Sequence, residues 1–353
     1  MKILVINAGS SSIKFQLFEM PEVRVAAKGM VERIGESEAA LSYTAGEQSL
    51  QRKVEAHDHQ QAMSVILQVL TDARIGAVKD IREIKAVGHR VVHGGEEFTG
   101  SVKIDDAVLK SIERFADLAP LHNPPNLTGI RAAQKALPHA LQAACFDTAF
   151  HSSIPQTAYL YGLPYEIYET YRVRRYGFHG TSHRYVARRA AELMGRDKYD
   201  VNLITCHLGN GCSITAVKNG KSVDTSMGMT PLEGVVMGTR CGDIDPAIVF
   251  YLADKGYSLE QLNDMFNKKS GLLGISGISN DMRNLIEHAR QGHQRAQLAI
   301  DIFCYRIKKY VGAYAAVVGR VDAVVFTGGI GENNARIRQQ VCGDMETIGI
   351  TID

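Results

Sequence analysis

The same local pattern opens two distant parts of this chain: an apolar strand runs directly into a turn of small and polar residues. In the first copy the apolar run is Ile3–Ile6 and the turn is Ala8–Ser12, followed by alternating apolar residues at Ile13, Phe15 and Leu17. An alternation of period two predicts that the chain returns as a second strand, not as a helix. A Walker-type phosphate loop has to open a helix and carry G-x-x-x-x-G-K-[ST], which this sequence lacks. The N–H groups and hydroxyls of the hairpin tip can instead hold phosphate oxygens.

The second copy lies in the other half of the chain and predicts a duplicated architecture. Its strand is Val201–His207, its turn is Leu208–Gly211, and its returning strand is Ser213–Val217. Because each copy can begin one α/β domain, we expect an N-terminal domain at 1–150 and a C-terminal domain at 151–353.

A third strand and two helices complete the predicted frame. The strand Val321–Phe326 runs into a glycine-rich turn, Thr327–Asn333, with a helical pattern from about Ala335. A strand, a glycine turn and a helix N-terminus together can form an anion or nucleotide site. Asp105 is placed to cap one helix, and Leu298–Val318 is apolar enough to be a packed core helix.

Charge and cysteine content exclude several classes of protein. Lys and Arg total 40 and Asp and Glu total 38, a balance that leaves no footprint for nucleic acid or anionic membrane. No stretch approaches the roughly 18 to 20 apolar residues that span a bilayer. The six cysteines are scattered without a C-x-x-C pair, which suits reduced thiols in a cytosol. We therefore expect a cytoplasmic protein whose cysteines are buried small hydrophobes, with a catalytic thiol as the alternative.

Short motifs rich in Gly, His, Asn, Asp and Arg span the whole chain. They are Asn7–Phe15, Gly88–Gly95, Pro120–Asn123, Phe146–His151, Arg175–His183, His207–Gly211, Asp224–Gly228, Pro231–Gly234, Met237–Pro246 and Phe326–Asn333. In this order they resemble the acetokinase family, which includes acetate, propionate and butyrate kinases. The resemblance implies two duplicated α/β domains of the sugar kinase, actin and heat-shock ATPase type with a nucleotide cleft between them. It also implies transfer of the γ-phosphoryl group of Mg-ATP to a short carboxylate, acetate first and propionate second.

The resemblance assigns four catalytic residues. Arg90 contacts the carboxylate, Arg240 and His179 stabilise the transferring phosphoryl group, and Asp147 is described as an acid/base. Arginine suits the task because its planar fork binds carboxylate or phosphate and stays charged. Acids with a pKa near 4 are already ionised at pH 7, so the attacking oxygen has no proton to remove. Our hypothesis is therefore that Asp147 orients an arginine or a magnesium-bound water.

Binding residues are also carried over from the resemblance. Those expected at the nucleotide are Ser10, Ser12, Lys14, His207, Leu208, Gly209, Asn210, Gly211, Asp281, Met282, Arg283, Gly329, Ile330, Gly331, Glu332 and Asn333. Those expected at the acid are Arg90, Val92, Leu121, His122, Phe178 and Pro231. Asn7 is expected at the magnesium ion.

Other interpretations of these residues remain open. His179 and His183 form an H-x-x-x-H spacing that a zinc site can use. Arg90 and Arg240 can be surface salt bridges, and the four apolar residues of the acid site can be core. The same fold also serves ATP-gated interaction proteins, a reading that leaves both arginines unexplained.

Two further expectations follow from the resemblance alone. Family members assemble as homodimers through the second domain. They also continue for several dozen residues past the position of Asp353, where they supply a glutamate that pairs with Asn7 at the magnesium and a last helix that packs on the first domain. A polypeptide that ends at Asp353 is expected to bind magnesium weakly and to turn over slowly.

Overall fold

The computed structural model describes residues 1–352, so Asp353, the last residue of the second predicted domain, lies outside it. The chain forms two compact α/β units, one of residues 1–149 (unit 1) and one that begins at Phe150 (unit 2). Each unit has its own sheet.

Unit 1 contains eight strands and three helices among its described residues. They are β1 (Lys2–Ala8), β2 (Ser12–Glu19), β3 (Arg24–Glu32), β4 (Ala39–Ala45), β5 (Gln48–Val54), α1 (His59–Leu70), β6 (Ile84–Val91), β7 (Val102–Lys103), α2 (Asp106–Arg114), α3 (Asn123–Ala136) and β8 (Leu141–Phe146). The strand order is β5-β4-β3-β2-β1-β6-β8-β7. The predicted hairpin is confirmed: β1 and β2 are antiparallel, with Asn7 opposite Lys14. Asp105 caps α2, as predicted.

The core of unit 1 lies between its sheet and helices α1 and α3. Alternate residues of the strands, such as Leu4 and Phe15, are buried against α1 residues such as Ile66. Helix α3 approaches the end of β1 very closely, because a Cβ atom at Gly129 would lie 2.4 Å from the Cβ of Ala8. Only glycine permits this distance, which brings α3 onto the β1–β2 hairpin.

Unit 2 contains ten helices and four strands among its described residues. They are α4 (Gln156–Tyr159), α5 (Tyr165–Tyr171), α6 (Gly180–Leu193), β9 (Leu203–Leu208), β10 (Cys212–Lys218), β11 (Lys221–Thr225), α7 (Ala247–Asp254), α8 (Leu259–Lys268), α9 (Gly271–Ser276), α10 (Met282–Arg290), α11 (Gln294–Val318), β12 (Ala323–Thr327), α12 (Gly328–Asn333) and α13 (Ala335–Cys342). In the chain as a whole, short 3-10 helices lie at Ile81–Glu83 and Phe115–Leu118 in unit 1, at Ala149–Ser153 where unit 2 begins, and at Glu346–Ile348 in unit 2. The predicted long core helix is α11.

The two sheets share one strand arrangement. In unit 2 the order is β11-β10-β9-β12, with β9–β10 antiparallel and β12 parallel to β9. Unit 1 repeats this arrangement as β3-β2-β1-β6, with β6 parallel to β1. The duplicated strand–turn–strand pattern of the sequence therefore corresponds to a repeated sheet topology.

Candidate active site

Arg90 and Asp147 lie at the carboxyl ends of two neighbouring parallel strands of unit 1. The register of β6 and β8 sets Arg90 beside Cys145, and Asp147 follows two residues later. Arg90 Nε donates to both carboxylate oxygens of Asp147 at 3.1 Å, and Nη2 donates to Oδ2 at 2.6 Å. Asp147 is 2% exposed, whereas the Arg90 side chain is 39% exposed. The carboxylate raises the pKa of Arg90 and contacts its guanidinium, which is one of the two arrangements that our hypothesis for Asp147 allows.

Two buried asparagines of α3, to which the sequence analysis gave no role, hold the segment after Arg90. Asn126 accepts from the backbone N–H of Val92 at 3.0 Å and donates to the carbonyl of Ala8 at 2.7 Å. Asn123 accepts from the N–H of His93 at 3.1 Å. The asparagines are three positions apart and so share one face of the helix. This spacing, in the run Asn-Pro-Pro-Asn, is the signal that could have identified them.

The β1–β2 hairpin presents the phosphate residues predicted in unit 1. The N–H of Gly9 donates to the carbonyl of Ser12 at 2.8 Å, which closes the tip. Ser10 and Lys14 are exposed, and Asn7 is half-buried at the end of β1. The tip is therefore accessible and polar.

The residues predicted to hold the acid have different environments. In unit 1, Val92 is buried, Leu121 is 71% exposed, and His122 occupies the N-cap position of α3. In unit 2, Phe178 is buried and Pro231 is half-buried. Val92 and Phe178 thus also fit the core interpretation, but Leu121 does not.

Several predicted nucleotide residues of unit 2 gather at the β9–β10 tip, Leu208–Gly211. The carbonyl of Asn210 accepts from the N–H of Gly238 at 2.9 Å, and its side-chain oxygen accepts from Asn280 at 2.9 Å. The first bond ties the tip to the loop that carries Arg240. The second ties it to the start of α10.

The segment after β12 is itself a short helix, Gly328–Asn333, so the prediction of a glycine turn over Thr327–Asn333 was wrong. Gly328 adopts a left-handed φ of +78°, and a Cβ there would lie 2.6 Å from the carbonyl oxygen of Leu208. This conformation lets the strand turn directly into α12 beside the tip. Asn334 then caps α13, which begins at Ala335 as predicted. Of the nucleotide residues expected here, Gly331 is buried, Ile330 is half-buried and the others are exposed.

The Asp281–Arg283 segment forms an ordinary helix start. Asp281 caps α10 by accepting from the N–H of Arg283 at 2.9 Å, and the guanidinium of Arg283 turns back onto the same carboxylate at 2.6 Å. Met282 is buried. Nothing in these contacts marks a ligand, as expected for a segment that only the resemblance singled out.

His179 lies at the first turn of α6 with a left-handed φ of +57°. Its ring centroid is 4.2 Å from that of His207, and its Nδ1 is 2.8 Å from the hydroxyl of Ser213. The same hydroxyl lies 2.7 Å from Nε2 of the fully buried His183, whose Nδ1 is 2.7 Å from Thr205 Oγ1. Both histidines of the H-x-x-x-H spacing therefore bond to a hydroxyl. Ser213 and Thr205 were missed, although polar residues inside apolar strands were a visible signal.

Arg240 has no carboxylate partner among residues 1–352, in contrast to Arg90. Its Nη1 donates to the carbonyl of Pro231 at 3.4 Å and contacts the Met237 sulfur at 3.8 Å. Burial lowers its pKa. A Cβ at Gly211 would lie 3.4 Å from both Arg240 Nη1 and His179 Nε2. The guanidinium and the imidazole therefore flank one glycine.

Comparison with known proteins decides the family. Residues 2–353 match the model of the acetokinase family. The chain belongs to this family. It is 54% identical over 354 residues to an acetate kinase of Pseudothermotoga lettingae. The matched region covers all of this chain and 87% of that protein.

Solved structures of the acetokinase family have the same fold. An acetate kinase of Porphyromonas gingivalis matches with a TM-score of 0.96 at 49% identity, over 100% of this chain and 89% of that one. A propionate kinase from Francisella tularensis subsp. tularensis matches with a TM-score of 0.94 at 44% identity, over 100% and 90%. The expected α/β fold is confirmed, and as an acetokinase the chain is a phosphotransferase enzyme.

The cysteines of this acetokinase are all free thiols. Cys206, Cys212, Cys304 and Cys342 are buried, and Cys145 and Cys241 are half-buried. Burial raises the pKa of Cys212 to about 12, which disfavours its reactive thiolate. Across residues 1–352, every helix is too short or too polar to cross a bilayer.

Proposed function

We propose that this kinase reversibly transfers the γ-phosphoryl group of ATP to acetate, giving acetyl phosphate and ADP. The observation that carries the proposal is Arg240, a partly buried cation to which no carboxylate of the described residues 1–352 is paired, beside His179 at a glycine tip. Such a cation gains most when an anion arrives. The relatives from Pseudothermotoga lettingae and Porphyromonas gingivalis are acetate kinases, which supports acetate as the acceptor.

The proposed reaction is a direct in-line displacement. A carboxylate oxygen of acetate forms a bond to the γ-phosphorus as the bond to the bridging oxygen of ADP breaks, and no proton has to move. Arg90 holds the acetate carboxylate, and Asp147 keeps the Arg90 fork in place. Arg240 and His179 meet the negative charge that spreads over the transferring group, which is the main catalytic need in phosphoryl transfer.

A magnesium ion fits the proposal as a metal held mainly by the nucleotide. Residues 1–352 contain no cluster of three or more His, Cys, Asp or Glu side chains suited to a metal. Magnesium in kinases usually keeps waters and takes few protein ligands besides substrate phosphates. Asn7, half-buried at the end of β1, would supply one amide oxygen. When bound, the ion neutralises phosphate charge.

Propionate is the second candidate acceptor, because the Francisella tularensis relative is a propionate kinase. One methylene is worth about 0.8 kcal/mol of burial, so the two acids differ little in intrinsic affinity. Specificity constants for acetate, propionate and butyrate separate the two activities. A higher constant for propionate than for acetate would reverse our assignment.

Assembly as a cytoplasmic homodimer through the second unit also belongs to this proposal. Exposed apolar side chains on and near α7 support it: Ile248, Phe250, Tyr251 and Leu259 are 37%, 71%, 62% and 75% exposed. Apolar side chains grouped in this way are typical of interaction surfaces. Sedimentation of the wild type and of Phe250→Glu tests the dimer, and an unchanged mass for the variant would argue against this surface.

The activity itself is tested by trapping acyl phosphate with hydroxylamine in the presence of Mg-ATP and acetate. We expect acetyl hydroxamate in proportion to the enzyme, and none without acetate. ATP hydrolysis without hydroxamate would instead favour an ATP-gated interaction protein.

A further inference from the structure

Four side chains of unit 2, those of Thr205, His183, Ser213 and His179, are joined in a line by three successive hydrogen bonds. Thr205 Oγ1 is 2.7 Å from His183 Nδ1, His183 Nε2 is 2.7 Å from Ser213 Oγ, and Ser213 Oγ is 2.8 Å from His179 Nδ1. Thr205, His183 and Ser213 are each 0% exposed. Bulk water does not reach these three groups, so they satisfy one another.

The three bonds have to point in one direction. Burial lowers the pKa of His183 well below its usual value, and the neighbouring His151, His207 and His179 add to this effect. His183 is therefore neutral, and a neutral imidazole donates from one nitrogen and accepts at the other. The buried hydroxyl of Ser213 contacts only these two histidine nitrogens among residues 1–352, and accepting from both would leave its single proton without a partner, so it donates to one histidine and accepts from the other.

Two arrangements satisfy these conditions. In the first, Thr205 donates to His183 Nδ1, His183 Nε2–H donates to Ser213, and Ser213 donates to His179 Nδ1, so His179 carries its proton on Nε2. In the second, every bond is reversed and His179 presents a lone pair at Nε2. The first arrangement places both rings in the Nε2–H tautomer, which histidine intrinsically prefers.

We propose that Ser213, His183 and Thr205 are positioning residues that hold His179 neutral with its proton on Nε2, where it donates to an anionic oxygen beside Gly211 and Arg240. The inference rests on the proposed phosphoryl transfer, because a phosphoryl oxygen at this place needs a donor and is repelled by a lone pair. Protonation of His179 at Nδ1 would require all three hydrogen bonds to reverse. The three bonds together therefore disfavour the Nδ1–H tautomer of His179.

The tautomers can be read directly by NMR on protein labelled with 15N-histidine, without substrates. In the wild type we expect His179 and His183 each to show one protonated nitrogen, Nε2. Ser213→Ala removes the donor to Nδ1, so His179 should become a mixture of tautomers. Complete loss of a transition-state donor costs roughly 10²- to 10³-fold in kcat. Because part of the mixture keeps the active tautomer, we expect kcat to fall about 10-fold, with a smaller change in KM for ATP.

A matched pair at Thr205 tests the far end of the line. Thr205→Ser keeps the hydroxyl and should retain both tautomers and kcat, whereas Thr205→Val should shift the His183 signals and lower kcat. This pair also serves if Ser213→Ala does not fold. Ser153→Ala is the control, because the Ser153 hydroxyl donates to the carbonyl of Ser222 at 2.8 Å, outside the line.

Either of two results would overturn the inference: a wild-type His179 with its proton on Nδ1, or unchanged tautomers and kcat in both Ser213→Ala and Thr205→Val. Failure of the proposed function looks different. In that case the wild type forms no acyl phosphate, while the NMR spectrum still reports whether the line sets the tautomer.

Discussion

Each unit carries one catalytic arginine of the proposed reaction, and the two units compensate its charge differently. In unit 1, Arg90 is held through two nitrogens by the buried Asp147, which raises the arginine pKa. In unit 2, the chain as far as residue 352 offers Arg240 a carbonyl and a thioether but no carboxylate, and burial lowers its pKa. An arginine that is already paired with a carboxylate is well oriented, but its charge is compensated before a substrate anion binds. An unpaired one gains more from that anion, so we infer that Arg90 aligns and Arg240 stabilises charge.

The largest expected effect is at Arg240. Arg240→Ala should lower kcat by about 10³- to 10⁵-fold, the range for an arginine that acts on a transferring phosphoryl group. Arg240→Lys should recover only part of the loss, because an ammonium keeps the charge but not the planar fork. Arg188→Ala, on the exposed side of α6, is the control. Steady-state kinetics of acyl phosphate formation measure all three, and a loss of only a few-fold in Arg240→Ala would show that the site is misplaced.

Asp147→Asn removes the counter-charge of Arg90 and so makes the two arginines more alike. We expect kcat to fall roughly 10- to 100-fold, because small errors in alignment can cost about 10²-fold. KM for acetate should not rise, because the guanidinium keeps its charge. The acidic limb of the pH–rate profile should stay in place. Loss or displacement of that limb would instead support the acid/base role of Asp147.

A smaller effect is expected at the two hairpin tips, where Gly9 of the β1–β2 tip can be compared with Gly211 of the β9–β10 tip. A methyl group at Gly211 would lie 3.4 Å from Arg240 Nη1 and His179 Nε2, whereas one at Gly9 would lie 3.4 Å from Ser12 Oγ. Gly211→Ala fills space between two groups that bind charge, so KM for ATP should rise about 10-fold, or roughly 1.4 kcal/mol. Gly9→Ala should cost less. The opposite ranking would make the tip of unit 1 the more demanding phosphate site.

Each unit also contains buried histidines, and these should make the free energy of unfolding depend on pH. In unit 1, His89 donates to the side-chain oxygen of Gln142 at 2.7 Å, and burial lowers its pKa to about 4. Between pH 6.5 and about 4 the unfolded chain binds a proton here that the folded unit does not. The free energy of unfolding should therefore decrease as the pH falls through this window, by at most roughly 3 kcal/mol.

Urea denaturation followed by circular dichroism at pH 7 and pH 5 measures this effect. The decrease should be smaller in His89→Gln, which cannot titrate. Equal decreases in both proteins would assign the acid sensitivity to other groups, such as His183 in unit 2.

Local patterns predicted the frame of this fold well. Period-two alternation identified the first hairpin, the repeated strand–turn–strand pattern identified the second, and Asp105 caps α2 as predicted. These signals act within a few residues, so one sequence is enough to read them. The helix at Gly328–Asn333 was missed because glycines there resemble a turn, and the contact of Gly328 with Leu208 is not local.

The site was less predictable because its contacts join distant residues. Arg90 and Asp147 are separated by 57 positions, and Asn126 and Ala8 by 118. The resemblance identified the charged residues of the proposed site, which stand out in the motifs by their residue type. It did not single out Ser213 or Thr205, because their hydroxyls matter here only through the distant histidines that they contact.

The parallel register of β6 and β8 also places a thiol beside one of the proposed site residues. It sets the half-buried Cys145 level with Arg90. An alkylating reagent or oxidant should reach the two half-buried thiols, Cys145 and Cys241, before the four buried ones. An adduct on Cys145 would lie one strand away from the guanidinium that we propose aligns the acid. Reducing buffers should accordingly preserve turnover during purification, and a maleimide dye would mark this strand end.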